Sequence, residues 1–166
     1  MINLWIRAAS LAREIKQVAE ISDIRDRQPM AAATVSGDSN QPNSPLTLTS
    51  VREDGDWTVG ANSMSFGGAP DRVRIHAQTY YQQNQSGAFA RINPELELLK
   101  NGAVVAKSGT GYQRHGSGHD SSSNDISYVD PNPGTNPVYQ LRAQQGSTQN
   151  DFLAVDIGSF SCEAVL

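Results

Sequence analysis

His115 and His119, in Arg114-His115-Gly116-Ser117-Gly118-His119-Asp120, are the residues whose types and spacing come closest to a metal site. Two imidazoles beside a carboxylate suit Zn²⁺ or Ni²⁺ when a helix presents both rings together. The intervening glycines disfavour a helix, and the sequence places no third ligand cluster. The segment therefore reads as a solvated loop without a bound metal of its own. Tyr112, Arg114, His115 and His119 are its candidates for contact with a neighbour or receptor, and a metal shell completed by copies around a threefold axis stays open.

The other reactive side chains stand alone. His76 lies opposite Val73 and Ile75 on an alternating run, as a surface or interface residue, and no Gly-x-Ser-x-Gly elbow or orienting carboxylate accompanies it. Cys162 alternates with Phe160 and Ala164, which makes it a small buried hydrophobe, and a lone cysteine forms no intramolecular disulfide. Glu95 and Glu97 share the strand face opposite Leu96 and Leu98 and read as a solvated stripe. Phe66-Gly67-Gly68-Ala69-Pro70 lacks the Gly-Lys-Ser/Thr of a phosphate loop. The expectation is a non-enzymatic protein with no catalytic residues and no cofactor.

The elements carrying these residues fall into two regions. Residues 1–29 are free of glycine and end at Gln28-Pro29, and they form the one long helix candidate. Leu4, Ala8, Leu11, Ile15 and Val18 recur at spacings of four and three as an apolar seam, with Arg7, Arg13, Glu14 and Lys16 mostly off it. This arm is expected to anchor or oligomerise the chain. Its charges interrupt any signal-peptide core and any membrane-spanning run of about 20 apolar residues. Residues 30–45 read as a linker or a first short strand.

From residue 46 to 166 short alternating runs are separated by turn clusters, the pattern of an antiparallel β-sandwich or jelly roll. Leu46 and Leu48, Trp57 and Val59, and Val73, Ile75, Ala77 and Tyr81 mark the early strands; Leu96 and Leu98 lead into Lys100-Asn101-Gly102, a two-residue hairpin turn. Asp125 to Val129, Val138 to Ala143, Phe152 to Ile157 and Phe160 to Val165 follow, with a 16-residue loop expected from Gly109 to Asn124. The run from Phe152 is apolar on both faces except for Asp156, which makes Phe152 and Ala154 candidates for a contact between copies. With 37% hydrophobic and 18% charged residues, the chain is rich in uncharged polar side chains, and its net charge of -4 gives no basic field for nucleic acid.

Leu96-Glu97-Leu98-Leu99-Lys100-Asn101-Gly102-Ala103-Val104-Val105-Ala106, then Asp130-Pro131-Asn132-Pro133-Gly134-Thr135 running into Val138-Tyr139-Gln140-Leu141, then an apolar last strand, resemble the C1q/TNF-like β-sandwich of bacteriophage tail-fibre, capsid-fibre and decoration proteins. The likeness covers roughly residues 72–166. It implies a jelly roll assembled as a homotrimer on a virus particle; together with the arm read from the residues, the expected fold class is mainly β, an antiparallel sandwich preceded by an N-terminal helix. Its partners would be other capsid or tail proteins and a host-surface glycan or protein, without nucleic acid or membrane insertion. A carbohydrate-binding module of a secreted or surface protein is the alternative, with Trp57, Tyr80, Tyr81, Tyr112 and Tyr128 as possible stacking faces.

Overall fold

The computed structural model describes residues 16, 28–38, 44–83, 91–92, 94–109, 113–114, 121–145 and 153–166, with the backbone alone at 37–38, 81–83, 91–92, 113–114, 121–122, 145 and 153–157. The strands are β1 (Met30–Asp38), β2 (Thr47–Glu53), β3 (Trp57–Val59), β4 (Met64–Phe66), β5 (Arg72–Gln83), β6 (Arg91–Ile92), β7 (Pro94–Lys100), β8 (Ala103–Lys107), β9 (Gln113–Arg114), β10 (Ser121–Asp130), β11 (Val138–Gln145) and β12 (Leu153–Val165). Two five-stranded antiparallel sheets, ordered β10-β5-β12-β1-β2 and β3-β4-β11-β7-β8, form a sandwich, and β6 pairs with β9. Of the expected arm only residues 16, 28 and 29 are described, and its seam residues Leu4, Ala8, Leu11, Ile15 and Val18 lie outside the described residues.

Alternation decides which face of each strand is buried. On β5, Val73, Ile75, Ala77 and Thr79 point inward while Arg72, Arg74, His76, Gln78 and Tyr80 are exposed. Leu96 and Leu98 on β7 and Tyr139 and Leu141 on β11 meet them from the facing sheet, with Phe160, Cys162 and Ala164 of β12 in the same core. Such a core forms because each strand offers one apolar face that only a second sheet can remove from water.

One open alternative is resolved and two expectations are corrected. Residues 30–38, where the sequence left linker and strand open, form β1 between β12 and β2, and its inward side chains are the small Ala31 and Ala33 followed by Val35. The runs 152–157 and 160–165 belong to one thirteen-residue strand, β12, with a register shift between Val155 and Ile157. Gly158 does not break it, because the neighbouring strands come so close there that an added Cβ would lie 2.8 Å from the Gln78 carbonyl and 2.9 Å from Val35 Cβ. The long loop expected at 109–124 is shorter, since Ser121 to Asn124 already pair with β5 and Gln113 and Arg114 form β9.

The Asn101-Gly102 hairpin forms as read, with φ of 49° and 81° at its two turn residues. Asn101 also ties this turn to β11, donating its backbone N–H to Val138 O (2.8 Å) and accepting from Val138 N at its Oδ1 (2.9 Å). Thr79 is a weak point in the core: its Oγ1 is fully buried and has no hydrogen-bond partner among the described residues. Thr79→Val keeps the shape and removes that unsatisfied hydroxyl. It is expected to raise stability by about 1 kcal/mol, read as a higher urea midpoint at unchanged slope.

Candidate functional site

The topology gives the sandwich two distinct poles. β5 runs about 40 Å from Arg72 to Gln83. Beside Arg72 lie Val165, Glu163 with its partner Met30, and Asp130; beside Gln83 lie Leu153, Ala154 with its partner Asp38, and Ser121. The N-terminal segment therefore joins the sandwich at the same pole at which the chain reaches Leu166. Segments 39–43, 84–90, 115–120 and 146–152 join strands that end at the opposite pole.

The point where the arm joins is fixed by hydrogen bonds. Pro29 O accepts from the Trp57 indole (2.9 Å) and from Ala164 N (3.0 Å), while Asp54 N donates to Met30 O (3.0 Å). Trp57 is 3% exposed and packs edge-on against Phe66, with ring centroids 5.1 Å apart. It is thus a core residue, which removes it as an exposed stacking face for a sugar.

The same pole holds a buried polar cluster. Asp130, at the end of β10, is 3% exposed. Its Oδ2 accepts from Tyr139 Oη (2.7 Å) and pairs with Lys100 Nζ (2.8 Å), while its Oδ1 accepts from Asn132 N (3.1 Å). Lys100 also donates to Asn132 O at 2.5 Å. Burial pushes the Asp130 carboxyl up, but Lys100, Tyr139 and the Asn132 amide together hold it below the usual carboxylate range. Burial, then the Asp130 carboxylate, pushes the Tyr139 phenol well above its ordinary value. The Asp-Pro-Asn-Pro-Gly-Thr turn and the tyrosine after it are therefore one unit, joined through a carboxylate that sequence reading left without a role.

The outer faces of the two sheets differ. On the β11-β7-β8 side, Arg142, Glu97 and Lys107 stand in one cross-strand row. Arg142 donates from Nε (2.8 Å) and Nη2 (2.6 Å) to Glu97 Oε2, and Lys107 Nζ lies 2.7 Å from Oε1 and 3.3 Å from Glu95. The expected solvated stripe is corrected here: Glu97 is 4% exposed, covered by its own cations. Burial raises its carboxyl, and Lys107 and Arg142 overcome that to bring it below the usual range.

On the β10-β5-β12-β1 side the rows are Val129-Arg74-Glu163-Met30, Ser127-His76-Ser161-Ala32 and Asp125-Gln78-Ser159-Thr34. This face sets the long polar side chains of β5 (Arg74, His76 and Gln78) among small ones on β10, β12 and β1, with Val129 and Tyr80 exposed at 52% and 42%. A depression of about 230 Å³ opens on it between Met30, Ile75, His76, Tyr128 and Val129. Across its rim Arg74 meets Glu163 at 3.4 Å.

Of the sequence candidates, His76 is exposed on this face and Cys162 is fully buried, its thiol pushed well up by burial. Arg114 is placed by its backbone in β9 opposite Arg91, and Ala154 by its backbone in β12 opposite Gln82. Tyr112, His115, His119 and Phe152 lie outside the described residues. Among the described residues there is no group of three or more metal-ligating side chains and no helix long and apolar enough to cross a membrane.

No protein-family model matches the chain, and no curated protein matches it in sequence. Solved structures do match. Murine APRIL at pH 5.0 superposes with a TM-score of 0.53 at 7% identity over 84% of this chain and 100% of that one. The globular domain of zebrafish complement 1qA protein gives 0.53 at 11% identity over 84% of this chain and 98% of that one. The chain thus has the C1q/TNF-like jelly-roll fold that its hairpin, turn and last strand resemble.

Proposed function

We propose that this protein is a non-enzymatic structural component of a virus particle, a fibre, spike or capsid decoration protein of a tailed bacteriophage. It assembles as a homotrimer through the outer face of the β10-β5-β12-β1-β2 sheet. The N-terminal arm anchors it to capsid or tail proteins, and the opposite pole stabilises the particle or meets a host-surface glycan or protein.

The observation that carries this reading is the contrast between the two outer faces. One sheet buries a carboxylate on its outer face within the Arg142-Glu97-Lys107 row; the other carries small residues (Ser127, Ser159, Ser161, Thr34 and Ala32) on the strands either side of β5, with Val129 and Tyr80 exposed and Arg74 and Glu163 paired on its surface, so its outer strands allow a neighbouring copy to approach. The two poles add to it, since an anchor and a display surface about 40 Å apart do not interfere. Binding then works by avidity, three weak contacts on one rigid body acting at high effective concentration.

Mass photometry and sedimentation of the full chain at micromolar concentration are expected to give a species of three chains. Ala32→Arg with Ser161→Arg places two cations on the proposed contact face and should shift it to monomer by a factor of ten or more in association constant, about 1.4 kcal/mol per tenfold, with the far-ultraviolet circular dichroism unchanged. A wild-type chain that stays monomeric overturns the assembly reading. The particle role is tested separately by whether the chain bands with purified virions, and by loss of that banding when residues 1–27 are deleted.

A further inference from the structure

We propose that Asn101 is a latent modification site. The folded hairpin and its clamp on β11 keep the side chain an amide, and each opening of the hairpin exposes it to irreversible conversion to aspartate or isoaspartate. Asn101-Gly102 is the one Asn-Gly pair in the sequence. It lies exposed at the tip between β7 and β8, and a Cβ added to Gly102 would meet nothing within 4 Å. Without a Cβ, and with open space around it, the Gly102 nitrogen is the least hindered backbone nucleophile that an asparagine side chain can meet.

The step is an intramolecular displacement. Gly102 N attacks Asn101 Cγ, the N–Cγ bond forms, the Cγ–Nδ2 bond breaks, and ammonia leaves with the proton that Gly102 N carried. Water then opens the five-membered imide at one carbonyl or the other. Opening at Cγ gives aspartate. Opening at the backbone carbonyl carbon gives isoaspartate, whose main chain runs through Cβ and is one atom longer.

The folded turn blocks the first step. Ring closure needs Gly102 N on the same side of the Asn101 Cα–C bond as Cβ. At Asn101 φ is 49°, and in that left-handed region, where ψ is about +30 to +60°, the nitrogen lies nearly opposite Cβ. The side chain is held as well, since Oδ1 accepts from Val138 N at 2.9 Å while Asn101 N donates to Val138 O at 2.8 Å. Lys100 and Tyr139 are the last ladder pair of β7 and β11, so Asn101 continues that ladder by one step, its Oδ1 standing where a strand residue would offer a carbonyl. Closing the imide therefore requires the turn to leave its backbone conformation and give up that bond together. The two products differ in what they leave: aspartate keeps an oxygen for Val138 N–H, whereas isoaspartate lengthens a two-residue turn, so that Lys100 and Ala103 no longer meet in register.

The test is peptide mapping of the full chain by mass spectrometry during prolonged incubation, native and in urea above the unfolding midpoint, with isoaspartate separated from aspartate by chromatography. Native protein is expected to lose the Asn101 amide at least about a hundredfold more slowly than unfolded protein, because reaction waits for a minor open state. Val138→Pro removes the clamping N–H at the first residue of β11, a position that tolerates proline, and should speed native loss about tenfold or more. If Val138→Pro does not fold, the wild-type rate in urea below the midpoint decides: a rise there supports opening of the hairpin ahead of global unfolding, and a flat rate overturns the gate. Native loss as fast as unfolded loss, or a folded Val138→Pro protein with the wild-type rate, likewise overturns the proposal.

Discussion

Asp130→Ala is expected to destabilise the sandwich by about 3–5 kcal/mol, because it removes the acceptor shared by three donors and leaves two of them facing a hole. Tyr139 is fully buried, so its hydroxyl has no water to turn to once Asp130 is gone. Lys100 keeps 19% of its side-chain surface and can rehydrate in part, so Lys100→Met should cost less. Tyr139→Phe removes one donor and leaves the carboxylate with the others, for about 1–2 kcal/mol. The same cluster predicts an acid response. The folded carboxyl lies below its unfolded value, so its contribution is fully present above the ordinary aspartate range near pH 4 and is lost as pH falls through the folded value. Urea unfolding from pH 7 downward should therefore show a decline that Asp130→Asn flattens. An Asp130→Ala protein within about 1 kcal/mol of wild type would mean that the turn is held by its prolines alone.

Legibility followed side-chain size and locality. Val73, Ile75 and Ala77, or Leu96 and Leu98, declare a strand because large apolar residues alternate with polar ones, and Asn101-Gly102 declares its turn because both positions need positive φ. β1 stayed ambiguous because Met30-Ala-Ala-Ala-Thr-Val35 has no contrast between its faces: Ala31 and Ala33 are core, Ala32 is not, and nothing local separates them. Phe152 to Ile157 and Phe160 to Val165 read as two runs for a similar reason, since only the approach of β1 and β5 explains Gly158 inside a strand. Glu97 was misread because alternation assigns an outward face, whereas its burial depends on Arg142, a residue 45 positions away in sequence. Asp130 was quoted as part of a turn, yet its role needs Lys100 from another hairpin. Pairings of this kind are products of the sheet order and have no local signature.

Arg142→Met is expected to be the other severe substitution, and the reason lies in what it leaves behind. Glu97 is 4% exposed, and without Arg142 one of its oxygens loses both N–H donors at once. The remaining cation, Lys107, is 52% exposed and screened by water, so it compensates weakly. A buried carboxylate stripped of its main partner costs about 3 kcal/mol or more. Glu97→Leu with Arg142→Met removes both charges, and methionine and leucine fill similar space beside the buried Leu99. The double variant should recover most of the loss and can match wild type, because the intact pair repays desolvation of both ions before it adds anything. The acid response separates the two interpretations. The Glu97 carboxyl is held below its usual range, so wild type and Lys107→Met lose stability as pH falls through the folded value, while the double variant lacks that part of the decline. A double-mutant cycle at pH 7 is the measurement. A coupling near zero would show that Arg142 and Glu97 are neighbours without energetic dependence, and the covered outer face of this sheet would then owe its burial to packing alone.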